Sequence, residues 1–316
     1  MNKMLKNALK QAKVVAIGGH VRPDGDCFGS CMGLYRYIRT WYPDVKVDIY
    51  LEELPDSFYL FEAANEIQHE AADGIKYDLF ISLDCADKKR LGFSECLFDT
   101  AKETICIDHH ISNPAFAKEN YIIPEASSTS ELVYRLIERE KITAEIAEFL
   151  YLGIVHDTGV FQYSCTSPET MEAAAELMRC GIRASEIIDK TFYEKTYAQN
   201  KVLGKALDSS VLLMDGKCIV SYITQEMMGE YDVKSKDLEG IVSQLRVTKG
   251  AEVAIFLYEQ SPGEYKISLR ASGDVDVSRV AQHFGGGGHK KAAGATMCGT
   301  PEEIIEAVTQ QIQVQM

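Results

Sequence analysis

The chain has 316 residues, more than one compact domain usually holds, and its 46% hydrophobic and 25% charged residues are those of an ordinary globular protein. A net charge of −14, from 33 basic and 47 acidic residues, argues against wrapping long duplex nucleic acid through phosphate contacts. No run of about 18 apolar residues suits a membrane span, and the early run Val14–Ile17 is too short for a signal-peptide core. Nine scattered cysteines without a CxxC pair suit reduced thiols in a cytosol.

The first part of the chain alternates short apolar runs with helical patterns, which predicts an α/β fold built on βαβ units and a parallel sheet. Val14–His20 reads as a buried strand and Gly29–Thr40 as a helix with Met32, Tyr35 and Ile38 on one side. Strands are expected at Val45–Leu51, Asp78–Asp84 and Glu103–Asp108. Ser128-Thr129-Ser130-Glu131 has capping-box spacing and opens a helix through about Arg139. Thr143–His156 is a second helix with Ile146, Phe149, Leu150 and Ile154 facing the core, and Pro168–Cys180 a third that stops at Gly181.

A less apolar helical stretch, Tyr193–Lys205, marks the connection to a second domain. The expected division is a domain over 1–190, a helical linker over 191–205 and a smaller α/β domain over 206–316. In the latter, Lys217–Thr224 reads as a strand and Asp237–Arg246 as a helix. Ala251–Glu259 and Glu264–Ala271 form a hairpin around Ser261-Pro262-Gly263, and a helix at Val277–Phe284 runs into Gly285-Gly286-Gly287-Gly288-His289.

Four polar clusters each follow an apolar run: His20-x3-Asp24-x-Asp26, Asp84, Asp108-His109-His110 and His156-Asp157. The first three fall where parallel strands end, and side chains there share one crevice in an open α/β sheet. A lone aspartate at such a place is usually a helix cap. Here, however, four of the seven histidines each lie within four residues of an aspartate at an element end, a selection that independent caps do not explain. Crowded carboxylates repel one another unless cations neutralise them. Aspartate mixed with imidazole is a donor set for Mn²⁺, Fe²⁺ or Zn²⁺. So many candidate ligands exceed one tetrahedral ion and suit two ions about 3.5–4 Å apart sharing a carboxylate, the geometry of in-line phosphoryl displacement by an activated water. Gly25 and Gly29 are expected to let the chain turn tightly between ligands. Cys27 and Cys31 have no second cysteine pair to close a zinc site, and no GxGxxG or GxxxxGK[ST] loop occurs.

His20-Val-Arg-Pro-Asp24-Gly-Asp26-Cys-Phe-Gly-Ser30, the SLDCAD segment at 82–87, Asp108-His109-His110 and Gly153-Ile-Val-His-Asp157-Thr-Gly159 resemble the four motifs of the DHH phosphoesterase superfamily. Ser268-Leu-Arg270-Ala-Ser and Gly285–His289 resemble the smaller DHH-associated domain that follows in one branch. The resemblance spans nearly the whole chain, in order. It implies a parallel-sheet metal-binding domain with helices on both faces, a smaller C-terminal domain, and an active site in the cleft between them. The two-domain length most resembles the branch that hydrolyses short oligoribonucleotides to mononucleotides and pAp (phosphoadenosine phosphate) to AMP.

By that resemblance, His20, Asp24 and Asp84 hold one metal ion, while Asp26, Asp84, His109 and Asp157 hold the other, with Asp84 bridging. Mn²⁺ is the expected ion, with Mg²⁺ or Co²⁺ as alternatives. His110 contacts substrate phosphate or orients the site, and Asp108 accepts a hydrogen bond that fixes a neighbouring imidazole. His156 matches no ligand role. In the second domain, Gly285, Gly286, Gly287 and Gly288 are expected to offer amides as an anion nest close to His289, with Arg270 as a bidentate phosphate contact. Lys290 and Lys291 add positive charge; Arg246 is explained equally well by solvation. The expected partners are short single-stranded RNA and pAp, not long duplexes or membranes, in a cytoplasmic homodimer.

Alternatives are a phosphodiesterase for cyclic di-AMP or pApA, and a pyrophosphatase or exopolyphosphatase, whose basic second-domain signature is missing. A RecJ-type DNA exonuclease would need further nucleic-acid-binding domains. A non-enzymatic nucleotide-binding protein would be expected to have lost ligands, yet all six positions are occupied. The acidic excess lies mainly in residues 1–199, which hold 21 basic and 32 acidic residues against 12 and 15 in residues 200–316. Four of those carboxylates are proposed ligands, so bound cations would turn the site attractive to phosphate.

Overall fold

Apolar runs that are buried on both faces favour parallel pairing, and the first two hundred residues follow that rule. A computed structural model describes residues 2–72 and 74–316. It divides into two units, Met1–Glu194 and Lys195–Met316. The first contains α1 (Lys3–Gln11), β1 (Val14–Gly18), α2 (Gly25–Trp41), β2 (Lys46–Tyr50), β3 (Leu79–Leu83), α3 (Glu95–Thr100) and β4 (Glu103–Asp108). It continues with β5 (Glu119–Ile122), α4 (Thr129–Leu136), α5 (Ala144–Asp157), α6 (Pro168–Arg179) and α7 (Ala184–Ile188). The strands are all parallel, in the order β2-β1-β3-β4-β5. Along β1 and β3, Val15, Ile17, Leu79, Ile81 and Leu83 join the core with α2, α4 and α5, while Ala16 and Phe80 face a second cluster with Leu97 and Phe98 of α3. Strand direction of progression reverses at β1, so the ends of β1 and β3 open onto the crevice where such folds bind ligands.

The α2–α5 contact is made through glycine, and this corrects one expectation. Gly25 and Gly29 do not form turns; α2 starts at Gly25, inside the first motif, with Asp24 as its N-cap. A Cβ on Gly29 would stand 2.5 Å from Phe149 O and 2.8 Å from Gly153 N, and one on Gly33 2.5 Å from Leu150 Cδ2. On α5, a Cβ at Gly153 would meet Ser130 Oγ at 1.9 Å and Asp26 Oδ1 at 2.8 Å. Glycines at i, i+4 and i+8 therefore let two helix backbones touch, and that approach brings Asp26 and Asp157 onto one spot.

The second unit contains α8 (Tyr197–Asp208), β6 (Val211–Leu213), β7 (Cys218–Ile223), α9 (Gln225–Glu230), α10 (Ile241–Arg246), β8 (Val253–Ser261) and β9 (Glu264–Ala271). It ends with α11 (Val277–His283), β10 (Gly287–His289), β11 (Ala292–Cys298) and α12 (Pro301–Gln313). Its sheet runs β10-β11-β9-β8-β7-β6, antiparallel except for the β7–β8 pair. The alternation of β9 places Tyr265, Ile267, Leu269 and Ala271 in the core with α11 and α12. The helix expected over Asp237–Arg246 is broken instead: a short 3-10 turn ends at Leu238, and Gly240, at φ 85°, caps α10. The helix after Ser128 likewise closes at Leu136, short of Arg139.

Candidate metal centre

Each cluster of polar residues is delivered by the end of a regular element. Asp84 leaves β3 with φ 53°, a left-handed conformation that aspartate tolerates better than most residues and that turns its carboxylate across the strand ends. Its backbone N–H still donates to Ile107 O at 3.1 Å. Asp26 lies in the first turn of α2, and its two oxygens accept the N–H groups of Thr129 (2.6 Å) and Ser130 (2.8 Å) at the start of α4. Thr129 Oγ1 donates to Asp84 at 3.1 Å. Asp157 ends α5, followed by a left-handed turn at Gly159, Val160 and Phe161 with φ of 56°, 56° and 64°. Thr158 holds that turn: its Oγ1 donates to Ile154 O at 2.6 Å and accepts Phe161 N–H at 3.0 Å.

The imidazoles are oriented from behind. His20 Nδ1 is 2.9 Å from Val21 O and His109 Nδ1 is 3.3 Å from Ala126 O, so the backbone carbonyls take the Nδ1 protons and leave Nε2 facing the carboxylates. His20 Nε2 stands 3.5 Å from both Asp24 and Asp84. His109 Nε2 stands 3.1 Å from Asp157 and 3.6 Å from Asp84. Asp84 thus touches both histidines from the middle. His110 is held differently: its Nδ1 donates to Asp108 at 2.8 Å, and Asn113 Nδ2 donates to the other Asp108 oxygen at 2.6 Å.

This donor set fits divalent cations. With metal–ligand bonds of about 2.0–2.2 Å, neighbouring donors on one ion stand about 3–3.5 Å apart. Of the imidazole–carboxylate separations, 3.1, 3.5 and 3.5 Å lie in that range and the fourth, at 3.6 Å, lies just beyond it. Electrostatics point the same way. Burial, reinforced by Asp84 and Asp157, pushes the Asp26 carboxyl well above its usual range, and burial also raises Asp157 against the pull of His109. Burial opposes protonation of His20, but Cys27, Asp24 and Asp84 outweigh it and push the imidazole up to about 12. His109, against the same effect of burial, is pushed up to about 11 by Asp157, Asp84 and Asp26. Cations would relieve this crowding by displacing protons. The first unit thereby brings His20, Asp24, Asp26, Asp84, His109 and Asp157 together. Cys27, which has no second cysteine pair to close a zinc site, also lies among them: its Sγ and donor atoms of His20 and Asp84 are all within 4.8 Å of one another.

Several contributors escape a reading of the sequence. Thr129 and Ser130 act partly through backbone N–H groups, which carry no residue signature, although the capping-box spacing marks the place. The box is half formed: Ser128 Oγ accepts Glu131 N–H at 3.0 Å. The buried Glu131 instead accepts Ser127 Oγ at 2.5 Å and Thr170 Oγ1 at 2.8 Å, and pairs with Arg135. Asn113 could have been sought five residues after Asp108.

In the second unit, Arg270, Ala292 and His289 occupy one row across β9, β11 and β10. Arg270 Nη1 donates to Leu269 O at 3.0 Å. The expected nest is altered. Gly285 and Gly286 donate to Gln282 O (3.1 Å) and Ala281 O (2.9 Å), closing α11 rather than offering their amides to an anion. Gly287 and Gly288 pair with β11, where a Cβ on Gly288 would stand 2.5 Å from Ala292 O. Lys291 turns to Gly273 O.

A parallel sheet whose strand ends gather aspartate and histidine in this order defines a class, and the chain belongs to the DHH family. Residues 14–154 match the DHH family, N-terminal domain, and residues 215–314 match the DHHA1 domain. The chain is 30% identical to the bifunctional oligoribonuclease and PAP phosphatase NrnA of Thermus thermophilus, covering 94% of this chain and 90% of that protein. It is 27% identical to the NrnA of Bacillus subtilis, covering 88% and 87%. The structure is similar to that of an exopolyphosphatase-related protein from Bacteroides fragilis, with a TM-score of 0.92, 29% identity and coverage of 98% and 94%. No helix among the described residues is long and apolar enough to cross a membrane.

Proposed function

We propose that this protein is a metal-dependent phosphoesterase that hydrolyses short oligoribonucleotides to mononucleotides and pAp to AMP. The observation that carries the reading is the convergence on Asp84 of two imidazoles, His20 and His109, whose Nε2 atoms face carboxylates while Nδ1 is held by backbone. The substrate class is supported by the names of relatives that match over most of their length.

In this reading His20, Asp24 and Asp84 hold one ion, and Asp26, Asp84, His109 and Asp157 the other, with Mn²⁺ as the preferred metal. When bound, the ions would supply positive charge to the phosphoryl oxygens and acidify water for in-line attack. The chain's own contribution is orientation. Asp108 accepts the Nδ1 proton of His110 and, with Asp84, raises the imidazole against the effect of burial, which favours the imidazolium whose Nε2–H would donate to a phosphoryl or leaving oxygen. Asn113 fixes Asp108 in turn. Residues 1–190 would serve as the metal-binding domain and 206–316, joined through 191–205, as the substrate-binding domain. There Arg270 and His289 would engage phosphate, with Gly285–Gly288 allowing close backbone approach. A cytosolic setting agrees with nine free cysteines, and a homodimer is the assembly the family resemblance implies.

A substrate panel tests the function: RNA dinucleotides to longer oligomers, pAp, pApA, cyclic di-AMP and pyrophosphate, each with Mn²⁺. The expected result is fastest turnover of RNA dinucleotides and pAp. Preference for cyclic di-AMP or pyrophosphate would overturn it.

A further inference from the structure

His156 precedes Asp157 at the end of α5, yet its ring packs on Phe58, Phe192 and Thr191, none of them a proposed ligand. It lies edge-on to Phe58 and to Phe192, with centroids 5.4 Å away in both cases. It also covers Gly25 so closely that a Cβ there would stand 2.1 Å from His156 Cγ. The first residue of α2, between Asp24 and Asp26, therefore rests directly on this imidazole.

The far side of the ring is anchored by a hydrogen bond. His156 Nε2 is 3.0 Å from Thr191 Oγ1, and Thr191 Oγ1 is 2.7 Å from Ile187 O. A threonine hydroxyl has one hydrogen, and the carbonyl accepts it; the hydroxyl oxygen must then accept the Nε2 proton of His156. Thr191 and Phe192 belong to a single π-helical turn, Asp189–Tyr193, closed by Glu194 N donating to Asp189 O at 2.7 Å. Such widened turns recur at functional sites. This one is the last regular element of the first unit, and its Thr191 and Phe192 both contact His156, the residue beside Asp157.

We propose that His156 is a positioning residue that ties the start of α2, and with it Asp24 and Asp26, to the Asp189–Tyr193 turn, so that Thr191 sets metal affinity without being a ligand. The inference rests on the two-metal reading. Gly25 has no side chain with which to hold itself, so the imidazole plane fixes where α2 begins. Release of Nε2 frees the ring to tilt, and both α2 and the adjoining Asp157 gain slack. Loss of partners that orient metal ligands typically costs about 10–100-fold in metal affinity or activity.

The test is Mn²⁺ binding to the full chain, read from the electron paramagnetic resonance of the free ion, in two pairs of variants. Thr191→Val removes the hydroxyl at nearly constant shape and should weaken Mn²⁺ binding about tenfold, whereas Thr191→Ser should stay within about twofold of the parent. His156→Gln keeps an N–H within reach of Thr191 and should retain most of the affinity that His156→Leu loses. The pair at 156 decides the matter if Thr191→Val does not fold. Equal affinities within either pair would overturn the proposal, since packing alone would then explain the contact. A parent protein that binds no Mn²⁺ would instead overturn the two-metal reading itself.

Discussion

Replacement of Gly29 by alanine probes the feature that assembles the centre. Its Cβ would meet Phe149 O at 2.5 Å, Gly153 N at 2.8 Å and Gly153 Cα at 3.0 Å, all backbone atoms that cannot rotate aside. Relief requires α2 and α5 to part by about 0.5–1 Å. Overpacking of this kind costs about 1–3 kcal/mol, and rigid backbone on the blocking side places Gly29 at the upper end. Alanine returns about 1 kcal/mol through helix propensity. The net loss is about 2 kcal/mol, which lowers the melting temperature of a unit this size by about 4–8 °C. Parting the helices also separates Asp26 from Asp157, so Mn²⁺ affinity should fall at least about tenfold. Two controls calibrate the result. Gly33→Ala crowds the Leu150 side chain, with backbone no nearer than Ile146 O at 3.9 Å, and should cost less than Gly29→Ala, about 1 kcal/mol. Gly204→Ala, inside α8 with nothing within 4 Å of the new Cβ, should stabilise by about 0.5–1 kcal/mol. Calorimetry with Mn²⁺ titration reads all three. A Gly29→Ala protein that melts no lower than the parent and binds Mn²⁺ equally well would refute the reasoning.

Three further outcomes follow from the site. Asp84→Asn should abolish hydrolysis while preserving the melting temperature, because asparagine also tolerates the φ of 53°; Asp84→Ala should melt lower by about 1–2 kcal/mol, and equal melting of the two would contradict the strain argument. Burial, against the opposing charge of Asp24, holds His156 down to about 4 from its ordinary 6.5. The unfolded chain therefore binds this proton first, so its contribution to stability is full above pH 6.5 and is lost as pH falls towards 4. At about 1.36 kcal/mol per pH unit that contribution is about 3 kcal/mol, and denaturant melts in chelator should show a flatter pH profile for His156→Gln than for the parent. Asn113→Ala removes the donor to Asp108 and to Cys85 O (3.0 Å); kcat for pAp should fall about 10–100-fold with KM within twofold, whereas a change confined to KM would argue against the orienting role.

Much of the fold was legible where hydrophobic period and caps agree. The strand at Glu103–Asp108 has the bounds its apolar run implies, and Thr143 caps α5 where that helix was expected to open. Misreadings cluster at glycine. Gly25 and Gly29 look like turn formers in isolation, and only the close approach of α5 shows why a helix carries them. Gly240 breaks a helix that periodicity alone continues, and the tetraglycine serves strand approach and helix closure besides any anion. The edge strand β5, with the sequence ENYI, is too short and too polar for an alternation signal. Within the centre, the proposed ligands drew notice because four of seven histidines lie close to an aspartate at an element end, which capping alone does not explain. Their supports were not: Val21 O, Ala126 O and the N–H groups of Thr129 and Ser130 are backbone atoms, placed by tertiary structure rather than by residue identity.

The central claim is that Asp84 joins two cation sites that together drive phosphoester hydrolysis. Equilibrium dialysis with Mn²⁺, followed by electron paramagnetic resonance of the bound ions and a pAp hydrolysis assay on the same samples, tests it most directly. The account predicts two Mn²⁺ per chain, magnetically coupled, with hydrolysis appearing as the second ion binds and both coupling and turnover lost in Asp84→Asn. Full hydrolysis with a single uncoupled ion, or in the presence of excess chelator, would contradict it.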